Sequence, residues 1–284
     1  MNPLVTIAVF SFNAAERIQA TLDSVKSQTY SNVELIILDD GSRDKTVAIV
    51  KGWIESNQSD CRFISHSENM GICASVNEVL RISNGEYIAF IGDDIMFQAK
   101  ISNDVAYMQD HPEMGFCHSD LIANYIKSGQ KKRLNGSNST NAFHDFFAWK
   151  MVIYSPTIFY RRKVFNEVGY YDESLIFEDF DMLLRIAYKF KVGYRSEVTV
   201  LYNITGSSIS FERADELVAQ SLTITRKWKF LKNYNYYLSR RHLALFYNLA
   251  EGQKRKALKY IPRSARFITD KRLYSSLYRL FFKW

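Results

Sequence analysis

Strand-like and helix-like stretches alternate through roughly the first 95 residues, and this alternation restricts the fold more than any other feature of the chain. Residues 5–10 form a β-rich apolar run, and residues 15–28 then carry Ile18, Leu22 and Val25 at helical spacing. Residues 33–38 form a second apolar run. A segment with Val47, Val50 and Ile54 on one helical face follows it, with Ser42 or Asp44 as N-cap. Residues 62–65 read as a short third strand, Asn69-Met70-Gly71 turns into a helix carrying Val76, Val79 and Leu80, and residues 87–91 form a fourth strand. Such an order implies right-handed βαβ units and a parallel sheet.

Two of these strands stop on paired carboxylates, Asp39-Asp40 and, after Gly92, Asp93-Asp94. Both pairs then stand at the carboxyl edge of the sheet, where open α/β folds bind ligands. Adjacent carboxylates repel one another, and a divalent cation carrying a diphosphate relieves that repulsion. A solvated turn accommodates two aspartates equally well. Farther on, residues 116–120 and 156–160 read as strands, residues 162–168 as a helix, and the polar stretch 128–140, with Lys131-Lys132-Arg133 inside it, as a mobile loop. Glu178, Asp179 and Asp181 open an apolar helical segment, where they either complement the helix dipole or supply a general base facing a cleft.

A chain of 284 residues accommodates one large domain and a smaller appendage. Three cysteines without a CxxC pair argue against a disulfide framework or a zinc site and fit a reducing compartment. The first residues lack the basic region of a signal peptide, and the apolar runs are far shorter than the roughly 20 residues of a membrane span, so a cytoplasmic location is expected. The glycines form no Walker or dinucleotide fingerprint, which argues against an ATPase or a dehydrogenase, and the five histidines show no metal-ligand spacing. The net charge of +7 is unevenly spread: residues 1–211 hold 20 Lys+Arg against 25 Asp+Glu, and residues 212–284 hold 17 against 5. In that last region Leu217, Leu222, Ile224, Trp228 and Leu231, then Leu273, Leu277, Leu280, Phe281 and Trp284, recur among basic residues. A basic, aromatic, amphipathic helix lies on an anionic membrane surface or packs on the main domain with its basic face in solvent.

In their order and spacing, several segments together resemble glycosyltransferase family 2, the inverting enzymes of GT-A fold. They are Phe12-Asn13, residues 24–30, Asp39-Asp40-Gly41-Ser42-Arg43-Asp44, Asn69-Met70-Gly71 with Asn77, Gly85-Glu86-Tyr87 leading to Asp93-Asp94, residues 169–173, and Glu178-Asp179. The resemblance implies an α/β fold with a Rossmann-like, mostly parallel central sheet flanked by helices and a helical C-terminal extension. Residues 1–211 would be the GT-A domain, with 1–100 the nucleotide-binding half and 101–211 the acceptor half, and residues 212–284 the basic helical region. It further implies that Asp39 bonds the nucleobase, usually uracil, and that Phe10 and Phe12 sit where the base is contacted. Asp94, with Asp93, would hold Mn2+ or Mg2+ and touch the nucleotide, Asp179 would be the catalytic base, and Glu178 would help hold the acceptor. The implied substrates are a UDP-sugar donor and a glycan or lipid-linked acceptor of surface polysaccharide synthesis, O-antigen or capsule. The enzyme would be peripheral on the inner face of the cell membrane.

Two departures from the family pattern bear on the metal. Gly92 stands where a third acidic residue usually precedes the pair, and Tyr202-Asn203-Ile204-Thr205 lacks the Arg and His of the usual Tyr-Arg-x-His element. Metal ligation would then rest on Asp94, phosphates and water. A nucleotidylyltransferase is a second reading, but residues 10–16 supply no Gly-rich basic phosphate loop. A nucleic-acid or anionic-surface binder acting through the basic tail is a third, and it predicts salt-sensitive binding and indifference to Asp179. No nucleic-acid partner is expected on the leading reading.

Overall fold

The computed structural model describes residues 2–175, 178–205, 214–250 and 253–282. The side chains of Glu178 and Leu217, and the tail residues Lys283 and Trp284, lie outside what is described.

The expected alternation is present. Strands β1 (Val5–Ser11), β2 (Val33–Asp39), β3 (Cys61–Ser65) and β4 (Tyr87–Ile91) alternate with helices α1 (Ile18–Lys26), α2 (Thr46–Asn57) and α3 (Ile72–Ile82). All seven residues of β1 are buried, because β1 is central: it pairs in parallel with β2 on one side and β4 on the other. Two apolar layers cover the faces of the sheet. Ile7, Val9 and Ile37 pack with Ile18, Leu22 and Trp53 on one face, and Ala8, Ile36 and Ile88 pack with Val76, Val79 and Leu80 on the other. Each fully buried aliphatic side chain contributes about 1.5–3 kcal/mol. Gly85 is fixed by proximity, since a Cβ there would stand 2.4 Å from the Thr6 backbone nitrogen.

The second half converts this parallel unit into a mixed sheet. It adds β5 (Ile95–Met96), α4 (Lys100–Asp110), β6 (Met114–Tyr125), β7 (Gln130–Leu134), α5 (Ala142–Phe147), β8 (Phe159–Arg161), α6 (Lys163–Val168), α7 (Glu178–Lys189) and β9 (Lys191–Ile204). The strand order is β3-β2-β1-β4-β8-β6-β9-β5, with β7 on β6. Strand β8 runs antiparallel to β4 and β6, and β6 pairs in parallel with β9.

Two local expectations are corrected. Residues 130–134 are not loop: β7 pairs antiparallel with β6 across a turn in which Gly129 adopts a φ of 68°. Arg133 on that strand reaches Asp120 at 2.6 Å, and Asp120 is almost fully buried, so the ion pair anchors a strand whose composition is otherwise that of a loop. Residues 155–157 form a 3-10 turn and the strand begins only at Phe159, because Pro156 offers no N–H to a sheet ladder.

The C-terminal region is helical, with α8 (Ala214–Lys227), α9 (Tyr234–Leu249), the short α10 (Lys254–Ala257) and α11 (Ile261–Ser264), and α12 (Lys271–Phe282). It shares a core with the main body: Ile224, Trp228 and Tyr237 pack against Phe147, Leu175, Phe180 and Leu184. Lys227 pairs with Asp181 and Asp172, both at 2.9 Å. Helix α12 buries Leu273 and Leu280 against Leu243, Phe246 and Leu249 of α9. Among the described residues no helix is long and apolar enough to cross a membrane.

Candidate active site

Strand ends deliver the predicted carboxylates. Asp39 is the last residue of β2, in register with Ser11 at the end of β1, and it is fully buried. Its carboxylate accepts from Ser11 Oγ at 3.0 Å, Ser42 Oγ at 2.5 Å and the Ser42 amide at 2.9 Å. A carboxylate offers about four lone-pair positions, so three bonds leave one acceptor for an incoming N–H. Gly41 makes the turn possible: its φ is +75°, and a Cβ there would meet the Glu68 carbonyl carbon at 2.4 Å.

Asp40, beside it, is occupied differently. It accepts from the Met70 amide at 2.8 Å, the Gly71 amide at 2.9 Å and His66 Nδ1 at 2.8 Å. His66 also reaches Glu78 at 2.9 Å, and after the opposing effect of burial the two carboxylates raise its pKa. Asp40 therefore ties the loop before α3 to the end of β2.

The turn after β4 carries Asp93 and Asp94. Asp93 forms a short ion pair with Arg17 Nε, from the loop before α1. Asp94 is 4% exposed and accepts the Asn203 amide at 2.7 Å, while Asn203 Nδ2 donates to the Asp93 carbonyl at 2.8 Å. Asn203 thus holds the turn from β9, at a position where the family pattern has Arg. Burial, with the neighbouring Asp93 charge, pushes the Asp94 carboxyl up to about 7, against the Asn203 bond and the Arg17 charge.

Asp179 stands in the first turn of α7 and accepts a short hydrogen bond from Ser155 Oγ in the 3-10 turn. Burial raises its pKa, opposed by the Ser155 bond. Tyr202 lies on β9, next to Asn203. Its hydroxyl pKa is raised by burial and then by the charges of Asp94, Asp93 and Asp179 together. All three charges thus act in the same direction on the Tyr202 hydroxyl.

The two phenylalanines separate. Phe10 is a core residue, its ring edge-on to Phe90 at 5.7 Å, whereas Phe12 is 50% exposed. The segment 131–133 contributes to β7, with Arg133 spent on Asp120.

A divalent cation fits this arrangement in a limited way. Among the described residues no group of three or more His, Cys, Asp or Glu side chains could hold an ion. Asp93 is engaged by Arg17, and Asp94 is buried with a single hydrogen bond, from the Asn203 amide. One hard carboxylate matches an ion whose remaining ligands are phosphate oxygens and water, not a preformed cage. Sequence reasoning missed Arg17, Ser155 and the role of Asn203, since each acts on a residue 24 to 110 positions away.

Residues 6–169 match the family model for glycosyl transferase family 2. The chain is 28% identical over 264 residues to a UDP-Glc:alpha-D-GlcNAc-diphosphoundecaprenol beta-1,3-glucosyltransferase, WfaP, of Escherichia coli, covering 90% of this chain and 97% of that one. An uncharacterized glycosyltransferase of Rickettsia typhi is 27% identical over 213 residues, 70% of this chain and 63% of its own length. In fold, the chain is similar to S. aureus TarS in complex with UDP-GlcNAc, with a TM-score of 0.67 at 17% identity, over 97% of this chain and 88% of that one. That likeness covers the mixed sheet, its flanking helices and the helical C-terminal region, the architecture of GT-A glycosyltransferases. The family match, extending over more than half of the chain, and the ordered carboxylate-ended strands place this protein in glycosyl transferase family 2, as a glycosyltransferase.

Proposed function

We propose that the protein is an inverting glycosyltransferase that moves a sugar from a UDP-sugar to a glycan or lipid-linked acceptor. Residues 1–100 serve as its nucleotide half, 101–211 as its acceptor half and 212–284 as a supporting helical region. The observations that support this most are geometric: Asp39 closes β2, Asp94 is buried in the turn after β4 and bonded to Asn203 of β9, and Asp179 is bonded to Ser155. Asp39 takes an N–H of the base through its remaining lone pair, and Phe12 offers an exposed ring at the same edge. Asp179 takes the acceptor hydroxyl proton. The acceptor oxygen bonds to the anomeric carbon, and the bond from that carbon to the diphosphate oxygen breaks, its electron pair leaving with the diphosphate. One displacement inverts the anomeric centre. Burial favours this base, because a carboxylate poorly solvated in its ionised form binds a proton more readily. Ser155 fixes the carboxylate's orientation. Glu178 precedes Asp179 in the same helical turn and would help hold the acceptor. Mn2+ or Mg2+, held by Asp94 with the diphosphate, would neutralise charge on the leaving group. The neighbour PcManGT of Pyrobaculum calidifontis, solved with GDP-Man and Mn2+, has a similar fold, with a TM-score of 0.61 at 16% identity, over 100% of this chain and 89% of that one.

UDP-glucose and a GlcNAc-diphosphoundecaprenol acceptor, taken from the E. coli relative's name, are the first pair to test. Work on a lipid-linked acceptor suits a peripheral enzyme of the inner membrane face. Helix α12 supports this location, since Tyr274, Tyr278, Phe281 and Phe282 are all more than half exposed on it, and basic residues adjoin them. The deciding experiment measures UDP release and product anomeric configuration for the wild type and Asp179→Asn. Transfer with inversion, lost in Asp179→Asn at unchanged UDP affinity, is expected. Full turnover by that variant would remove Asp179 from the base role.

A further inference from the structure

Arg17, in the loop before α1, was given no role by the family resemblance, yet it is bonded to Asp93 in the turn after β4. Its Nε is bonded to Asp93, and the two side chains are 24% and 33% exposed, so the pair is reachable from solvent. Its other carboxylate neighbour, Glu16, stands 3.7 Å from NH1 and is 90% exposed, too solvated to bind the guanidinium firmly. Among the described residues the NH2 group has no hydrogen-bond partner. Arg17 lines an open recess of about 640 Å3 together with Asn13, Glu16, Arg43, Asp44 and Lys45. Three cationic side chains and two acidic ones, Glu16 and Asp44, thus border this recess, and Arg17 joins it to Asp93.

We propose that Arg17 gives the donor site a permanent positive charge. It would compensate Asp93 and meet the diphosphate with its free N–H groups, so that a nucleoside diphosphate binds without a metal ion and the ion only adds to that affinity. The inference rests on the donor-site reading above. A metal bridging both aspartates would have to displace a guanidinium already bonded to Asp93, and no third acidic ligand is present among the described residues to repay that displacement. Leaving Arg17 in place keeps Asp93 paired, leaves Asp94 to the ion, and presents a planar fork of donors suited to phosphate oxygens.

Calorimetric titration with UDP tests this directly, in EDTA and in Mn2+, on the wild type, Arg17→Ala and Arg17→Lys, with the melting temperature of each variant checking its fold. The wild type is expected to lose less than about 10-fold in affinity when the metal is removed. Arg17→Ala should lose about 100-fold in EDTA and clearly less in Mn2+, with Arg17→Lys between them. If Arg17→Ala and the wild type lose the same factor on metal removal, Arg17 is a structural ion pair only and the proposal falls. If the wild type binds UDP in Mn2+ but not in EDTA, the proposal falls while the donor-site reading stands. If the wild type binds neither UDP nor GDP under any condition, both fall.

Discussion

Replacing Asp94 by Asn should stabilise the ligand-free protein at high pH and leave it nearly unchanged at low pH. Asp94 is 4% exposed, and burial pushes its carboxyl up to about 7 from the ordinary 3.8. The folded state therefore holds a proton that the unfolded state has released, and stability must fall as pH rises from about 4 through about 7. At about 1.4 kcal/mol per factor of ten, the ionised Asp94 costs on the order of 4 kcal/mol above pH 8, and about 2–3 kcal/mol of that develops between pH 5 and pH 8. Asn keeps an oxygen for the Asn203 amide and removes the titration, so the substitution isolates this one group. His66, whose pKa is raised, against the effect of burial, by Asp40 and Glu78, is common to both proteins and cancels in their difference. Thermal denaturation of wild type and Asp94→Asn should show a melting-temperature gap that widens by on the order of 5 °C between pH 5 and pH 8. The same variant should lose Mn2+-dependent UDP binding. A gap independent of pH, or a variant less stable than wild type at pH 8, would refute the reasoning, because Asp94 would then be ionised at no cost.

Gly41→Ala should lower stability by about 2–4 kcal/mol and abolish UDP binding, since φ is +75° and the new methyl group would meet the Glu68 carbonyl carbon; circular dichroism and titration read both. Arg241→Met should raise the melting temperature, because that guanidinium is 7% exposed, its pKa pulled down to about 9 by burial, and its contact is the Phe180 ring at 3.9 Å; a large drop would mean that the cation–π stack outweighs the cost of burying the charge. Lys227→Met should leave Asp181 buried beside Arg185 alone and lower the melting temperature by a few degrees, with a smaller loss in high salt where the exposed Asp172 pair is already screened. Tyr278→Ser with Phe282→Ser should weaken binding to anionic liposomes by about 10-fold without changing the melting temperature, and equal binding would leave α12 a packing element.

Local chemistry made the first half of the fold readable. Residues 5–10, 33–38 and 87–91 are apolar enough to be buried on both faces, and only a parallel sheet covered by helices buries such runs. The aspartates that end them were visible for the same reason: a charge cannot continue a buried strand, so it marks the strand's exit and the edge where ligands gather. Asp39 and, just past β4, Asp93-Asp94 were therefore nameable before any coordinates, whereas Asp179, in the first turn of α7, was singled out by the family resemblance. The hairpin of β7 was not, because Gln130–Leu134 has loop composition and becomes a strand only through its ladder to β6 and the reach of Arg133 to Asp120.

What the tertiary structure alone decided was the partner of each charge. Local chemistry made Asp39-Asp40 and Asp93-Asp94 look alike and only the family resemblance gave them different roles, but folding gave Asp40 to backbone amides and His66, Asp93 to Arg17 and Asp94 to Asn203. An ionised side chain acquires its proton affinity and its spare valences from whatever stands a few ångströms away, and those neighbours come from distant strand ends. The residue types and their order came from the chain, whereas the division of four aspartates into anchors and free acceptors came from the way β1, β2, β4 and β9 meet at one edge.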